Sequence, residues 1–199
     1  MPELALCAPP PRRELLRLLR ARAGELWPAL RPLAEEVLGA ESTIDWVALE
    51  PGGGAVVALV AEVGEDLELV ARGLAQRAWL QARLGDWAQL APRSGLRPEA
   101  GARAILLCPA FRPEAVAAAA GAGPGVLTLA TYRCVRDRVG ISVLVEPLAA
   151  RVAANGSGAP APSVEPEPFR TGLSDLDLGL TPEERSEFER AASPRGTLD

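Results

Sequence analysis

The segment from residue 42 to residue 63 constrains the fold more than any other part of the sequence. Two short apolar runs, 42–50 and 55–63, lie on either side of the tetrapeptide Pro51-Gly52-Gly53-Gly54. Two such runs around a Pro/Gly cluster are typical of a β-hairpin. The next segment, about 65–85, carries apolar residues at helical spacing. The sequence therefore predicts strand, tight turn, strand and helix, with one acid, Asp45, in the first strand.

The remainder of the first 148 residues predicts further strands and one more helix. Residues 102–108 and 125–131 are continuous apolar runs, which are typical of strands covered on both faces. Between them, 113–120 is an alanine-rich helix that Pro113 opens and Gly121 closes. Residues 132–138 and 141–145 are predicted to form an edge hairpin. This order of strands and helices indicates an α/β domain with a mixed central sheet flanked by helices.

The beginning of the chain is predicted to be a loose leader over residues 1–11, followed by the folded domain over 12–148. Residues 12–38 are interpreted as one or two helices broken near Pro28 and Pro32. Their leucines predict one apolar face and their arginines an opposite, charged face. An arginine-rich face of this kind can contact phosphates, although it is more often simply exposed to water.

The composition changes after residue 148. Residues 149–170 are rich in Ala, Pro, Gly and Ser and predict a disordered linker, and residues 171–199 are predicted to be an acidic, flexible tail. Within this tail, Thr181-Pro182-Glu183-Glu184 has the features of a helix start, which predicts a short helix over about 181–191. Such a helix is expected either to dock on a protein partner or to fold back on its own domain.

The composition excludes several kinds of chemistry. The chain contains no lysine and no histidine, and all 21 basic residues are arginine. This excludes a Ser-His-Asp triad, a histidine-ligated metal, a Schiff-base lysine and a P-loop lysine. Residues 1–150 hold 17 acids and 16 arginines, whereas 151–199 hold 9 acids and 5 arginines. A dedicated nucleic-acid binder usually carries a basic excess on its folded part, and this domain does not.

The spacing of the three cysteines and the hydropathy of the chain indicate the cellular compartment of the protein. Cys7, Cys108 and Cys134 are widely spaced and form no CxxC pair, which argues against a disulfide framework and a zinc site. No signal peptide and no stretch of roughly 20 apolar residues is found. We therefore expect a soluble, cytoplasmic protein without a membrane partner, and the arginine-rich, lysine-free composition suggests a bacterium with a GC-rich genome. The oligomeric state is not indicated.

The hairpin followed by a helix, with Asp45 on the first strand, resembles the catalytic core of the PD-(D/E)XK nuclease superfamily. The resemblance covers about residues 30–148 and is strongest for the RecB-like and NucS-like branch. It implies a restriction-endonuclease-like fold, in which the acid and a Glu-x-Lys on the second strand bind divalent cations that activate water. It also implies that a glutamine on the following helix, here Gln76, lines the site.

The family's spacing places the Glu-x-Lys positions on Leu59-Val60-Ala61, which can neither ligate a metal nor replace the lysine. Glu62 is the nearest acid, but in a regular strand it points away from the face of residues 59 and 61, so that a bulge is required. Glu65, Asp66, Glu35, Glu36 and Glu41 are further acids that a rearranged site could recruit. Asp45 is alternatively a structural group that is hydrogen-bonded within the sheet.

Three hypotheses for function remain. The first is a degenerate, inactive nuclease-like domain, without a cofactor, that binds nucleic acid or protein; Arg72, Arg133 and Arg136 are its candidate phosphate contacts. The second is an active Mg²⁺-dependent DNA endonuclease with a rearranged site, whose candidate catalytic residues are Asp45, Glu62 and Gln76 and whose metal ligands are Asp45 and Glu62. The third is a protein-interaction module that acts through residues 171–199.

Overall fold

The computed structural model describes residues 5–138 and 140–148. The helices are α1 (Arg12–Leu26), α2 (Asp66–Gln81), α3 (Leu84–Leu90) and α4 (Pro113–Gly121), with a short 3-10 turn at Pro98–Ala100. The strands are β1 (Ala5–Leu6), β2 (Arg31–Leu38), β3 (Thr43–Leu49), β4 (Ala55–Val60), β5 (Ala102–Cys108), β6 (Leu127–Arg136) and β7 (Ile141–Pro147).

All seven strands form one mixed sheet. Antiparallel pairing joins β2, β3 and β4, and parallel pairing joins β4, β5 and β6. The last strand, β7, pairs antiparallel with β6, and β1 pairs with the final two residues of β6 beyond its contact with β5. Parallel strands need crossover connections, and here α2 and α4 supply them. The predicted α/β fold with a mixed sheet flanked by helices is confirmed.

Helices cover both faces of the sheet, because the central strands carry apolar residues on both sides. One apolar cluster, beneath α2, α3 and α4, includes Leu59, Leu69 and Leu106. The other, beneath α1, includes Leu19, Val60 and Tyr132. Every residue of β4 is buried, as expected for a strand between two helical layers.

Several predicted elements are confirmed at or near their expected bounds. The hairpin of β3 and β4 turns through residues 50–54, β5 spans 102–108, and α4 begins at Pro113. The helix predicted after the hairpin is divided, since α2 ends at Gln81 and α3 begins at Leu84. The apolar face of α1 is buried through Leu15, Leu16 and Leu19, as its leucine pattern predicts.

The helical interpretation of residues 31–38 was wrong, because this segment is strand β2. Its residues are mostly good helix formers, but pairing with β3 along the segment overrides that weak preference. Pro32 is tolerated because β2 lies at an edge of the sheet. Residues 127–136 form one strand rather than two, since β5 and β7 pair with its two edges.

The predicted leader differs from the structure at residues 5–7. Ala5 pairs with Arg136 and Leu6 with Val135, and the backbone N–H of Cys7 donates to the carbonyl of Cys134 at 3.0 Å. Backbone pairing thus holds a segment whose composition suggests little order. The predicted linker (149–170) and acidic tail with its helix (181–191) lie outside the described residues. Within the described ranges, no helix has the length and apolar character needed to cross a membrane.

Candidate functional site around Asp45

Asp45 is a buried carboxylate near the start of β3, with 5% of the residue exposed. Its Oδ1 accepts a hydrogen bond from Arg12 Nη2 at 2.7 Å, and its Oδ2 accepts the backbone N–H of Val60 at 2.7 Å. The last β3–β4 pair is Trp46 with Ala58. The carboxylate therefore supplies an acceptor to Val60 where the ladder between the two strands has ended.

The backbone is irregular around Asp45. Ile44 packs in the cluster beneath α2, whereas Trp46, two residues later, packs in the cluster beneath α1. A regular strand would place both on the same face. On β2, Glu36 lies between the partners of Trp46 and Ile44 and has φ of 51°. A non-glycine residue in this region costs on the order of 1 kcal/mol, which makes the neighbourhood of Asp45 a locally strained part of the sheet.

A cavity of about 510 Å³ opens beside Asp45. Its lining combines two carboxylates, two arginines, one hydroxyl and one apolar side chain: Asp45, Glu36, Arg12, Arg13, Thr43 and Leu16. The two acids and the two arginines balance in charge. Divalent cations are held by several convergent oxygen ligands. In this cavity the guanidinium of Arg12 already donates a hydrogen bond to one oxygen of the Asp45 carboxylate.

Burial raises the pKa of Asp45 above the ordinary 3.8 of an aspartate. The hydrogen bond from Val60 and the positive charges of Arg12 and Arg72 act in the opposite direction, but they do not outweigh the loss of water around the carboxylate. Strongly perturbed pKa values occur at functional sites and also in structural ion-pair networks, so that the shift does not by itself assign a role to Asp45.

The two positions at which the resemblance predicts the Glu and the Lys, one in β4 and one directly after it, belong to the hydrophobic core. Leu59 and Ala61 are both 0% exposed and pack in the cluster beneath α2. Between them, Val60 packs in the cluster beneath α1. The carbonyl of Ala61 accepts the hydroxyl of Tyr132 at 3.1 Å, and burial raises the pKa of that tyrosine. These positions therefore offer apolar contacts and one occupied carbonyl rather than metal ligands.

Glu62 is exposed two residues after the end of β4 and lines a different cavity. This second cavity has a volume of about 550 Å³ and is lined by Pro9, Pro10, Pro11, Arg12, Leu15, Glu62, Val63, Pro109 and Tyr132. Asp45 and Glu62 thus line separate cavities that share Arg12. Among residues 5–138 and 140–148, no group of three or more Cys, Asp or Glu side chains is arranged to hold a metal ion.

Gln76 lies on α2 with 2% of the residue exposed, and its amide is engaged by the β2–β3 turn. Its Oε1 accepts the backbone N–H of Ala40 at 3.0 Å, and its Nε2 donates to Ser42 O and Ser42 Oγ at 2.9 and 2.8 Å. A Cβ atom at Gly39 would overlap the Gln76 amide, which explains a glycine at that position. The contacts of Gln76 are those of a side chain that supports a turn.

The three arginines proposed as phosphate contacts occupy different surfaces. Arg72 is half-buried on α2, and its Nε has no hydrogen-bond partner among the described residues. Arg133 and Arg136 are both exposed on β6, but an odd spacing in a strand places them on opposite faces of the sheet. The structure does not gather these three side chains on a common surface.

A second buried aspartate lies at the start of α2. Asp66 is 1% exposed, and its carboxylate accepts the Arg112 backbone N–H at 2.8 Å and the Arg112 Nη2 at 2.9 Å. The Arg112 Nε also donates to it at 3.0 Å. These hydrogen bonds hold the pKa of Asp66 below its ordinary value. The pair ties the first residue of α2 to the residue that precedes α4.

Arg12 is a residue of the candidate site that the sequence interpretation missed. It opens α1, its side chain is 50% exposed, and Nη2 also reaches the carbonyl of Val60 at 3.3 Å. Arg12 and Asp45 are 33 positions apart. No local sequence signal relates them, because the contact depends on how α1 lies across the sheet.

No protein-family model matches this sequence, and no curated protein matches it. Three solved structures resemble part of the fold. A repair endonuclease from Pyrococcus abyssi is 15% identical with a TM-score of 0.32, and the match covers 50% of this chain and 39% of that one. The protein in an EndoMS-dsDNA2 complex is 17% identical with a TM-score of 0.25, and the match covers 48% and 38%.

The third structure is SfsA from Pyrococcus furiosus in complex with Ca²⁺. It is 15% identical with a TM-score of 0.33, and the match covers 65% of this chain and 62% of that one. The chain spans less than two thirds of each of these three structures. At TM-scores below 0.5 these likenesses assign neither a family nor an activity.

Proposed function

We propose that this chain is a nuclease-like domain that does not cleave nucleic acid and instead binds it. The proposal rests on one observation. The two positions that would carry the acid and the lysine of the PD-(D/E)XK motif are Leu59 in β4 and Ala61 directly after it, both fully buried in the core. In addition, both oxygens of Asp45 accept hydrogen bonds from within the protein. An uncompensated charge at residue 59 or 61 would carry a large desolvation cost.

The surface best suited to a phosphate backbone is the exposed side of α1. Arg13 and Arg17 lie one helical turn apart, are both exposed, and form no ion pair with another described residue. Exposed guanidinium groups at this spacing can contact neighbouring phosphates. Because the domain is close to neutral overall, we expect weak, salt-sensitive binding, with a Kd on the order of 10⁻⁵ M.

The first experiment tests cleavage. Labelled single-stranded, double-stranded and branched DNA is incubated with the purified full chain in Mg²⁺ or Mn²⁺, alongside Asp45→Asn. We expect intact DNA with both proteins. Cleavage by the wild type that requires metal and disappears in Asp45→Asn would refute the proposal. It would favour the alternative of an active Mg²⁺ endonuclease with a rearranged site.

The rearranged site would have to recruit Asp45 together with groups that now lie elsewhere. Glu62 lines the other cavity and the amide of Gln76 is engaged by the β2–β3 turn. Glu36 is the acid that shares a cavity with Asp45. If cleavage were observed, Glu36→Gln and Glu62→Gln would therefore distinguish which carboxylate assists Asp45.

The second experiment tests binding by fluorescence anisotropy. The double variant Arg13→Glu/Arg17→Glu should weaken DNA binding at least about tenfold and lower the slope of log K against log salt by about 2. Arg93→Glu/Arg97→Glu is the matched control, because it changes the net charge equally at exposed loop positions. Equal losses in both double variants would indicate a non-localised charge effect and count against the α1 surface.

Arg133→Glu and Arg136→Glu, tested singly, ask whether either face of β6 participates, and Arg72→Gln tests the half-buried arginine of α2. If no DNA binding is detected, the proposal fails. Deletion of residues 171–199 would then test the remaining hypothesis of a protein-interaction module, with loss of partner binding as its expected result.

A further inference from the structure

Cys7, directly after β1, lies opposite Cys134 on the neighbouring strand β6. The two cysteines are 127 positions apart in the sequence. The β1–β6 register pairs Ala5 with Arg136 and Leu6 with Val135, so that Cys7 lies opposite Cys134. The hydrogen bond from the Cys7 N–H to the Cys134 carbonyl, at 3.0 Å, continues this ladder. In an antiparallel sheet, residues that are directly opposite each other point to the same face.

The packing agrees with this register. Cys134 is buried in the cluster beneath α1, and Cys7 packs against the same cluster while remaining partly exposed. Hydrogen-bonded antiparallel pairs have Cα atoms about 5.5 Å apart. Disulfides most often join Cα atoms separated by about 5.5–6 Å. The register of the two backbones therefore corresponds to a Cα separation that a disulfide accepts.

We propose that Cys7 and Cys134 are a modification site, a thiol pair that small disulfide oxidants convert reversibly into an intramolecular disulfide joining β1 to β6. Both cysteines are free thiols in the structure. The Cys7 thiolate attacks one sulfur of a low-molecular-weight disulfide, and one thiolate leaves. The Cys134 thiolate then attacks the Cys7 sulfur and displaces the second. The two protons lost by the cysteines end on the two released thiols, and reduction by excess thiol reverses both steps.

Exposure determines the order of these steps. Cys7 is partly exposed, whereas Cys134 is buried and burial raises the pKa of its thiol, so that an oxidant in solution reaches Cys7 first. Cys108 is buried and belongs to the opposite cluster, beneath α2, and its Sγ lies 3.2 Å from the Glu62 carbonyl. Cys108 is therefore not expected to form a disulfide with Cys7 or Cys134, and it serves as an internal control for the oxidation experiment.

The disulfide would secure a segment that is otherwise weakly held. β1 has only two residues, and the chain continues from Cys7 through the three prolines that line the 550 Å³ cavity to Arg12. Oxidation closes the loop of residues 8–133 and anchors this wall of the cavity on the sheet. We therefore expect amide exchange over residues 5–8 to slow about tenfold on oxidation.

The experiment treats the full chain with oxidised glutathione, blocks free thiols and digests with trypsin. The expected product is a disulfide-linked pair of peptides, residues 1–12 and 134–136, which disappears on reduction. Cys108→Ser should retain it, and Cys7→Ser should lose both it and the slowed exchange. Cys7→Ser changes a partly exposed side chain, and we expect this variant to fold. It therefore tests the proposal even if Cys134→Ser, which changes a buried side chain, fails to fold.

Three outcomes would overturn the proposal. The first is stable glutathionylation of Cys7 with Cys134 left free. The second is a dimer linked through Cys7, and the third is a linked peptide that contains Cys108. None of these results bears on DNA binding or cleavage, so that this inference and the proposed function are tested separately.

Discussion

Two buried aspartates, each paired with an arginine, behave differently in this domain. Asp45 accepts one guanidinium nitrogen from Arg12 and one backbone N–H, and burial dominates and raises its pKa. Asp66 accepts a backbone N–H and two guanidinium nitrogens from Arg112, and these hydrogen bonds lower its pKa. Loss of water around the carboxylate is the largest influence on the pKa of Asp45, whereas the hydrogen bonds from Arg112 are the largest influence on the pKa of Asp66.

The difference shows why a buried acid beside an arginine is weak grounds for assigning a catalytic role. The better-satisfied carboxylate, Asp66, joins two helix starts and has an evident structural purpose. The carboxylate singled out by its resemblance to a nuclease motif, Asp45, is less fully compensated and lies at an irregular point of the sheet. Variants of the two aspartates therefore test whether Asp45 has a structural or a functional role.

The largest effect is expected at Asp66. Asp66→Ala removes the acceptor of the Arg112 backbone N–H and of its guanidinium, and should lower Tm by roughly 5–10 °C in differential scanning calorimetry. Glu68→Ala is the matched control, an exposed acid in the same first turn of α2. A similar Tm for both variants would mean that the Asp66–Arg112 pair is not an anchor of this region.

A smaller effect is expected at Asp45. Asp45→Leu leaves the Val60 N–H without its acceptor and should reduce the free energy of unfolding by about 1–3 kcal/mol. Asp45→Asn keeps an acceptor and removes the buried charge, and should change it by less than about 1 kcal/mol. Urea unfolding measures both. A large loss of unfolding free energy in Asp45→Asn would indicate that the ion pair with Arg12 is strongly stabilising. That result would contradict the difference inferred between Asp45 and Asp66.

The two aspartates should also respond oppositely to pH. The raised pKa of Asp45 means that its contribution to stability declines as pH rises from its ordinary value of 3.8 through the folded-state value. The lowered pKa of Asp66 means that its contribution is present above 3.8 and is lost as pH falls through the folded-state value. Urea unfolding of the wild type, Asp45→Asn and Asp66→Asn between about pH 3 and 6 measures these differences. Parallel pH profiles for the two variants would contradict the assignment.

The smallest effect is expected from divalent metal. Because Arg12 and Val60 occupy both oxygens of Asp45, Mg²⁺ or Mn²⁺ should leave the Tm of the wild type unchanged within about 1 °C, as no binding stabilises the fold. Isothermal titration on the wild type and Asp45→Asn is the direct check. A heat of metal binding that is present in the wild type and absent in Asp45→Asn would identify Asp45 as a metal ligand. It would then favour a functional role for Asp45 over a structural one.

Much of the fold could be predicted from local patterns. The alternation of apolar runs with the Pro/Gly cluster predicted β3, its turn and β4, and the apolar run at 102–108 predicted β5 within its observed bounds. Segment 31–38 could not be predicted in this way, because helix-forming residues there are held extended by pairing with β3. The edge strand β1 was missed for the same reason, since its partner lies about 130 positions away in the chain.

The candidate site divides along the same line. The sequence by itself determined that the chain has no lysine or histidine and that residues 59 and 61 are apolar, and its pattern predicted that Asp45 lies on the first strand of a hairpin. Those facts follow from residue identity and short-range periodicity. Only the tertiary structure decided that Arg12 reaches Asp45, that Gln76 supports a turn, and that Cys7 faces Cys134. Each of these contacts joins distant segments, and their positions depend on how the helices pack on the sheet and in which register the strands pair.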